Sequence, residues 1–288
     1  MNPIVFHLAS GHSFFTGIAL VILAVFASRS QSRIAHRSAV VLFLIGVIGI
    51  VLSSTPVPYW LYGIAAIGTI LWFVSAFVKS WRVWAHWVAI AGWLVLAVVE
   101  VRYQFLPRLK LATTRSMTVI GDSVTAGGVG GDEDFQRWPQ IFQRDHNVAV
   151  QDISHMGDTA RSALKRARKQ QINAPLVFVE IGGNDVLGST QPGDFAADLD
   201  ALIAHVSTPG RQVVMLELPL LPFYHEYGRH QRRIAAKYGV ALVPKRVFLS
   251  VLAGSGSTMD SIHLSQEGHR QMAETVWSLV GSAYPDLN

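Results

Sequence analysis

The chain contains no cysteine, which excludes a disulfide framework and any Cys-ligated metal and is compatible with an exported domain. Acidic residues are nearly missing from its first 121 positions, where Glu100 is the only one that precedes Asp122. Residues 1–121 carry 9 Lys and Arg against that 1 acid, and residues 122–288 carry 15 against 18, so the two halves are about +8 and −3. The net charge of +5 therefore does not mark a nucleic-acid binder: the excess sits on the turns and flank of an apolar segment, and the polar half shows no basic face. No Lys or Arg precedes the first apolar run, whereas a secretory signal peptide has a positive n-region. The glycines of "GGVGGDE" are followed by no Gly-Lys-Ser/Thr and lack dinucleotide spacing, which reads as a flexible loop rather than a phosphate cradle.

Four apolar runs fill the first hundred residues, at about 12–28, 38–54, 59–78 and 83–99. Each is close to the ~20 residues needed to cross the hydrocarbon layer, so four transmembrane helices are expected. Six of the eight tryptophans (Trp60, Trp72, Trp81, Trp84, Trp87 and Trp93) lie between residues 60 and 93, several near run ends where amphipathic rings favour the headgroup layer. Arg29, Arg33 and Arg37 join the first two runs, Lys79 and Arg82 join the last two, and "STPVP" between the middle pair is uncharged. Positive short loops stay in the cytoplasm, which puts the polar half on the periplasmic or external side of what is expected to be a bacterial inner membrane. Arg102, Arg108, Lys110 and Arg115 oppose that orientation, although long domains translocate largely regardless of charge. His7, His12 and His86 face no acidic partner in the first three runs and read as interfacial or packing residues. The expected organisation is a membrane segment at 1–102, a linker at 103–116 and a polar domain at 117–288.

In the polar half, "MTVI", "VAVQDIS", "PLVFVEIG", "QVVMLEL" and "VALVPK" are candidate strands alternating with five amphipathic helical stretches. Continuous apolar strands separated by helices imply an α/β domain whose parallel sheet is covered on both faces. Ligands in such open sheets bind at the carboxyl ends of strands, near a topological switch point.

Ser123 leaves the first strand in the small-residue turn of "GDSVTAGG", which presents its hydroxyl without a bulky neighbour. Serine is a weak nucleophile until a base takes its proton and a third group orients that base. "MDSIHLSQEGH" places Asp260 three residues before His263, just ahead of the last helical stretch. Acyl transfer also needs donors for the developing oxyanion. "HMGDTA" offers the unshielded N–H of Gly157, "EIGGNDVLG" offers the Asn184 amide, and the Ser123 N–H completes a three-donor hole.

The blocks "GDSVTAGG", "HMGDTA", "GGND" and "DSIH", in that order, resemble the SGNH/GDSL hydrolase superfamily, and "WPQIF", "GDTA" and "VFVEIGGND" most resemble its bacterial thioesterase I/lysophospholipase L1 type. The resemblance implies Ser123 as nucleophile, Gly157 and Asn184 as oxyanion donors, His263 as base and Asp260 as its orienter. It also implies a flavodoxin-like three-layer α/β/α fold and covers about residues 117–280. Val124 stands where the common signature has Leu, and the apolar first half has no counterpart.

Other motifs carry less. "HEYGRH" sets His225 and His230 five apart rather than four, turning the second about 140° away on a helix, so no metal role is expected. Asp122 and Asp185 read as helix caps or loop braces, and the cluster Arg161, Lys165, Arg166, Arg168 and Lys169 as a solvated helix face. "PLLPFYHEY" reads equally as an acyl-channel wall or as packing over the sheet end. The expectation is a membrane-anchored serine esterase acting on lipid-like esters or lysophospholipids, with no cofactor, no metal and no nucleic acid. The alternatives are an O-acetyl esterase or acyltransferase on envelope polysaccharide, or a non-catalytic membrane scaffold.

Overall fold

The computed structural model describes residues 1–127, 135–254, 256–258 and 263–284. It divides into two compact units: one of residues 2–104 with 220–225, and one of residues 105–219 with 226–288.

The first unit is helical: α1 (Pro3–Ala9), α2 (His12–Ala27), α3 (Arg33–Leu52), α4 (Tyr59–Val74) and α5 (Arg82–Val101). Of the four expected spans, α3 and α5 are long and apolar enough to cross a membrane, since 20 residues rise about 30 Å. The pair α1 and α2 meets at an 86° bend and makes a third candidate span if counted as one, while α4 has only 16 residues. Helix α4 ends at Val74, with the Ser75 hydroxyl turned back to the Trp72 carbonyl at 2.6 Å, although the apolar run continues to Val78. Close crossings hold the bundle together: a Cβ added at Gly17 would meet the Gly46 carbonyl oxygen at 2.5 Å, and one at Gly46 would meet that of Gly17 at 2.7 Å. Small residues that let backbones approach are the usual glue of helices in lipid.

The second unit is an α/β domain, in the order β1 (Ser116–Gly121), α6 (Ser123–Ala126), α7 (Trp138–His146), β2 (Ala149–Asp152), α8 (Ala160–Ala167) and β3 (Leu176–Glu180). It continues with α9 (Gly183–Leu187), α10 (Pro192–Val206), β4 (Gln212–Leu216), α11 (His225–Tyr238), β5 (Ala241–Val243), α12 (Lys245–Ala253) and α13 (Gln266–Val280). The sheet order is β2-β1-β3-β4-β5 with every pair parallel. All five expected strands are present.

Alternation along β1 divides the core. Met117 and Val119 join Trp138 and Phe142 of α7, Phe248 of α12 and Met272 and Val276 of α13 in one buried cluster. On the other side α8 packs against β1 and α10 against α8, with Ala163, Leu164, Phe195, Leu199 and Ile203 buried. This is the expected three-layer architecture. Thr159 and Ser265 start α8 and α13 by accepting from the N–H groups of Ser162 and Gly268, the capping that frees a helix start from unpaired donors. The stretch read as a linker does not hang free: Leu109 and Ala112 pack on the core and the Ala112 N–H donates to the Ala283 carbonyl at 2.7 Å. Helix α12 was not expected; the run "VALVPK" ends as a strand at Val243 and continues through Pro244 into a helix.

Candidate active site

Because β1 pairs β2 on one side and β3 on the other, the chain reverses direction across the sheet at β1. The crevice at the carboxyl ends of β1 and β3 is therefore the topological switch point, where such sheets take their ligands.

Ser123 sits there as the first residue of α6 and is 8% exposed. Asp122 precedes it as N-cap, its Oδ1 accepting from the Val124 N–H at 3.0 Å. The turn is tight because Gly121 has no side chain: a Cβ there would lie 2.4 Å from Thr125 Oγ1 and 3.1 Å from Glu180 Oε2. Thr125 donates its hydroxyl to Glu180 Oε2 at 2.9 Å and receives the Trp138 indole N–H at 3.2 Å. The serine turn is thus fastened from below to the end of β3.

The next two loops are stitched to the same point. The His155 N–H donates to the Gly121 carbonyl at 3.1 Å, which carries the β2 loop past the end of β1. Gly157 follows with φ of 75° and open space where a side chain would stand. Asp158 is buried, paired with Arg166 at 3.0 Å, and its carbonyl accepts from Asn184 Nδ2 at 3.0 Å. Asn184 therefore spends one of its two amide hydrogens on the Gly157 loop and retains a second donor. Beside it the Asp122 carboxylate lies against Gly183, where a Cβ would be 3.1 Å from Oδ2. Hence the turns carrying Ser123, Gly157 and Asn184 converge.

His263 is half-buried and stands just before Leu264, which bridges antiparallel to Thr258, and before Ser265, the cap of α13. Burial pushes the Asp122 carboxyl up to about 6, against the pull of the Val124 N–H and of the nearby His263. Asp260 lies outside the described residues.

Asp122 and Asp185 act as braces. Asp185 Oδ2 accepts from the Ala160 N–H at 2.9 Å and so anchors the start of α8. Burial pushes its carboxyl up to about 6, opposed by that same N–H. A carboxyl raised in the folded state contributes stability that is full below its ordinary value near 4 and is lost as pH rises through about 6. Asp185→Asn removes the loss, so from pH 4 to 7 the variant is expected to gain on the order of 2–3 kcal/mol relative to the parent. Thermal unfolding across that window checks it; parallel curves contradict it.

Glu180 was not singled out by sequence reasoning. Wholly buried, it is pushed well above the usual carboxylate range by burial and then by Asp122, which favours its protonated form. The available signal was a lone acid closing an otherwise apolar strand, "LVFVE". The Asp158 and Arg166 pair was also missed. Arg161, largely exposed, pairs with Asp198 at 2.9 Å, so two cations of the solvated α8 face have acidic partners. His230 lies 3.7 Å from Glu226, and no group of metal-binding side chains occurs among the described residues. Segment 220–225, two thirds of the "PLLPFYHEY" loop, belongs to the helical unit, where His225 Nε2 meets the Ser53 carbonyl.

The GDSL-like Lipase/Acylhydrolase family model matches residues 119–271, just over half of the chain. Esterase TesA of Pseudomonas aeruginosa is 29% identical over 180 residues, covering 58% of this chain and 88% of TesA. A crystal structure of TesA superposes with a TM-score of 0.51 at 26% identity, over 58% of this chain and 99% of that one. The psychrotrophic esterase EstA from Pseudoalteromonas, inhibited by monoethylphosphonate, gives 0.52 at 18% identity over 58% and 97%. That likeness reports the fold alone.

Proposed function

Since this chain belongs to the GDSL-like lipase/acylhydrolase family and is an esterase of SGNH type, we propose that it is a membrane-anchored serine esterase whose favoured substrates are lipid-like esters, including lysophospholipids. The observation that carries the reading is the stitching of the Ser123, Gly157 and Asn184 turns at one end of the sheet.

In the proposed reaction Ser123 Oγ attacks the acyl carbonyl carbon while His263 takes the hydroxyl proton. Negative charge gathers on the carbonyl oxygen, facing the N–H groups of Ser123 and Gly157 and the second amide hydrogen of Asn184. Fixed donors aimed at that oxygen need no reorganisation when the charge appears. The tetrahedral intermediate collapses, His263 gives its proton to the leaving alcohol, and the acyl group stays on Ser123. Water then repeats the sequence and releases the acid. Asp260, three residues before His263 in the sequence, is assigned as its orienter. The chemistry calls for no metal or organic cofactor.

Two features support lipid-like esters. Met156, next to Gly157, and Leu187, three residues after Asn184, are exposed apolar side chains, suited to an acyl chain. The helices α3 and α5 supply the anchor that keeps such substrates near. The positive loops at Arg29 to Arg37 and at Arg82 favour an external hydrolase domain on residues 117–288. Hydrolysis by the full-length protein across acetyl to palmitoyl esters and a lysophospholipid tests the substrate class. A rise in kcat/KM with chain length is expected; activity on acetyl esters alone would move the reading to removal of small acyl groups from envelope polysaccharide.

A further inference from the structure

The helical unit contains a cavity of about 390 Å³ that has no part in the ester chemistry. Its size falls within the range of sites that take small organic ligands, roughly 300–1,000 Å³. It lies where α4 stops short: Trp72 and Phe73 from the last turn of α4 face Ala39 and Phe43 of α3, and Arg82 at the start of α5 closes one side. The aromatic wall is fixed before any ligand arrives. Phe43 packs on Phe73 at 5.2 Å and on Trp72 at 5.7 Å, and Trp72 on Phe73 at 4.7 Å between centroids.

The polar edge has one sign. His86 is committed to the protein: its Nδ1 meets the Arg82 carbonyl and its Nε2 lies 3.5 Å from Ser28 Oγ. The Arg82 guanidinium is exposed and has no carboxylate partner among the described residues, and His36 adds an exposed imidazole to the same rim. The adjacent loop carries Arg29 and Arg33, and the only acid of residues 1–121 is Glu100, at the far end of α5. A guanidinium at the rim of an apolar slot is suited to bidentate recognition of phosphate or carboxylate.

We propose that this cavity is a binding site for an anionic membrane lipid: one acyl chain lies among Phe43, Trp72 and Phe73, and a phosphate-bearing head is held by Arg82 and His36. None of its lining residues belongs to the ester chemistry, and binding does not require turnover. It rests on the reading of these helices as membrane-embedded, because that is what brings a lipid to the slot.

The test uses full-length protein in neutral detergent and hexadecyl phosphate brominated along its chain, which quenches tryptophan on contact. Saturable quenching is expected, most of it lost in Trp72→Phe. Arg82→Gln alters an exposed side chain, so it leaves the bundle folded, and it should raise the dissociation constant about tenfold, the equivalent of about 1.4 kcal/mol. Ala39→Phe, which fills the slot, should abolish saturation; size-exclusion elution at the parent position confirms that this variant is folded. The matching brominated alcohol should bind about tenfold more weakly, and excess inorganic phosphate should not displace the lipid. Equal binding of alcohol and phosphate, with Arg82→Gln unchanged, overturns the site in favour of ordinary solvation by acyl chains. Displacement by inorganic phosphate overturns the lipid as occupant. Resistance of the chain to alkaline extraction from membranes reports the anchoring alone, so an anchored chain without saturable quenching overturns the site and spares the anchor.

Discussion

Ser123→Ala is expected to lower ester hydrolysis by about 10⁴-fold or more, because it removes the atom that forms the acyl-enzyme and leaves only binding and the oxyanion donors. The substitution suits the site structurally. Ser123 is the first residue of a short helix whose cap is provided by Asp122, and the turn is held by Gly121, Thr125 and Glu180. Removing one hydroxyl touches none of these bonds, so the thermal midpoint should move by no more than a few degrees. Substrate affinity should also persist, which puts the loss in kcat. His263→Ala should fall about as far, and the double variant no further, since the two act as a unit. Residual activity within tenfold of the parent would remove the serine mechanism.

Asn184→Ala is the second large effect: kcat is expected to fall 10²–10³-fold, about 2.7–4 kcal/mol of transition-state stabilisation, with KM nearly constant. Asn184 also ties the Gly157 loop through the Asp158 carbonyl, so a structural loss has to be told apart from a catalytic one. Losing that single hydrogen bond costs about 1 kcal/mol of stability, too little to account for two orders of magnitude in rate. The Asp158 and Arg166 pair continues to hold the loop in the variant. A small Tm shift with a large kcat loss marks an oxyanion donor; a KM rise with kcat intact would mark a loop brace.

The fold class of the α/β unit was legible because local pattern and strand position coincide there. Each expected strand of the α/β unit is an apolar run bounded by turn residues and becomes a parallel strand; β1, β3 and β4 are buried, whereas β2 and β5 at the sheet edges are only partly so. Helix α12 escaped because its first residue, Lys245, completes a β-like run, and only Pro244 and the spacing of Phe248, Val251 and Leu252 mark the change. The helical unit shows a different limit. Counting apolar residues gives four runs of similar length, whereas α4 ends at Val74 and α1 breaks from α2 at Gly11, with φ of 85°. Composition records what lipid tolerates, and backbone bonding decides where a helix stops.

At the candidate site, Ser123, Gly157, Asn184 and His263 are proposed from the short motifs in which each lies. Glu180 and the Asp158 and Arg166 pair escaped notice, because their roles come from tertiary burial: Glu180 matters only once β3 brings it under Thr125. Asp122 and Asp185 were read as braces, and both accept backbone N–H groups at helix starts.

The most direct test is to treat the full-length protein with a fluorophosphonate and locate the adduct by peptide mass spectrometry. Stoichiometric modification is expected on the peptide containing Ser123, slowed strongly by His263→Ala and absent in Ser123→Ala. Modification of a different serine, or none at concentrations that inactivate other serine esterases, would contradict the assignment of Ser123 as the nucleophile.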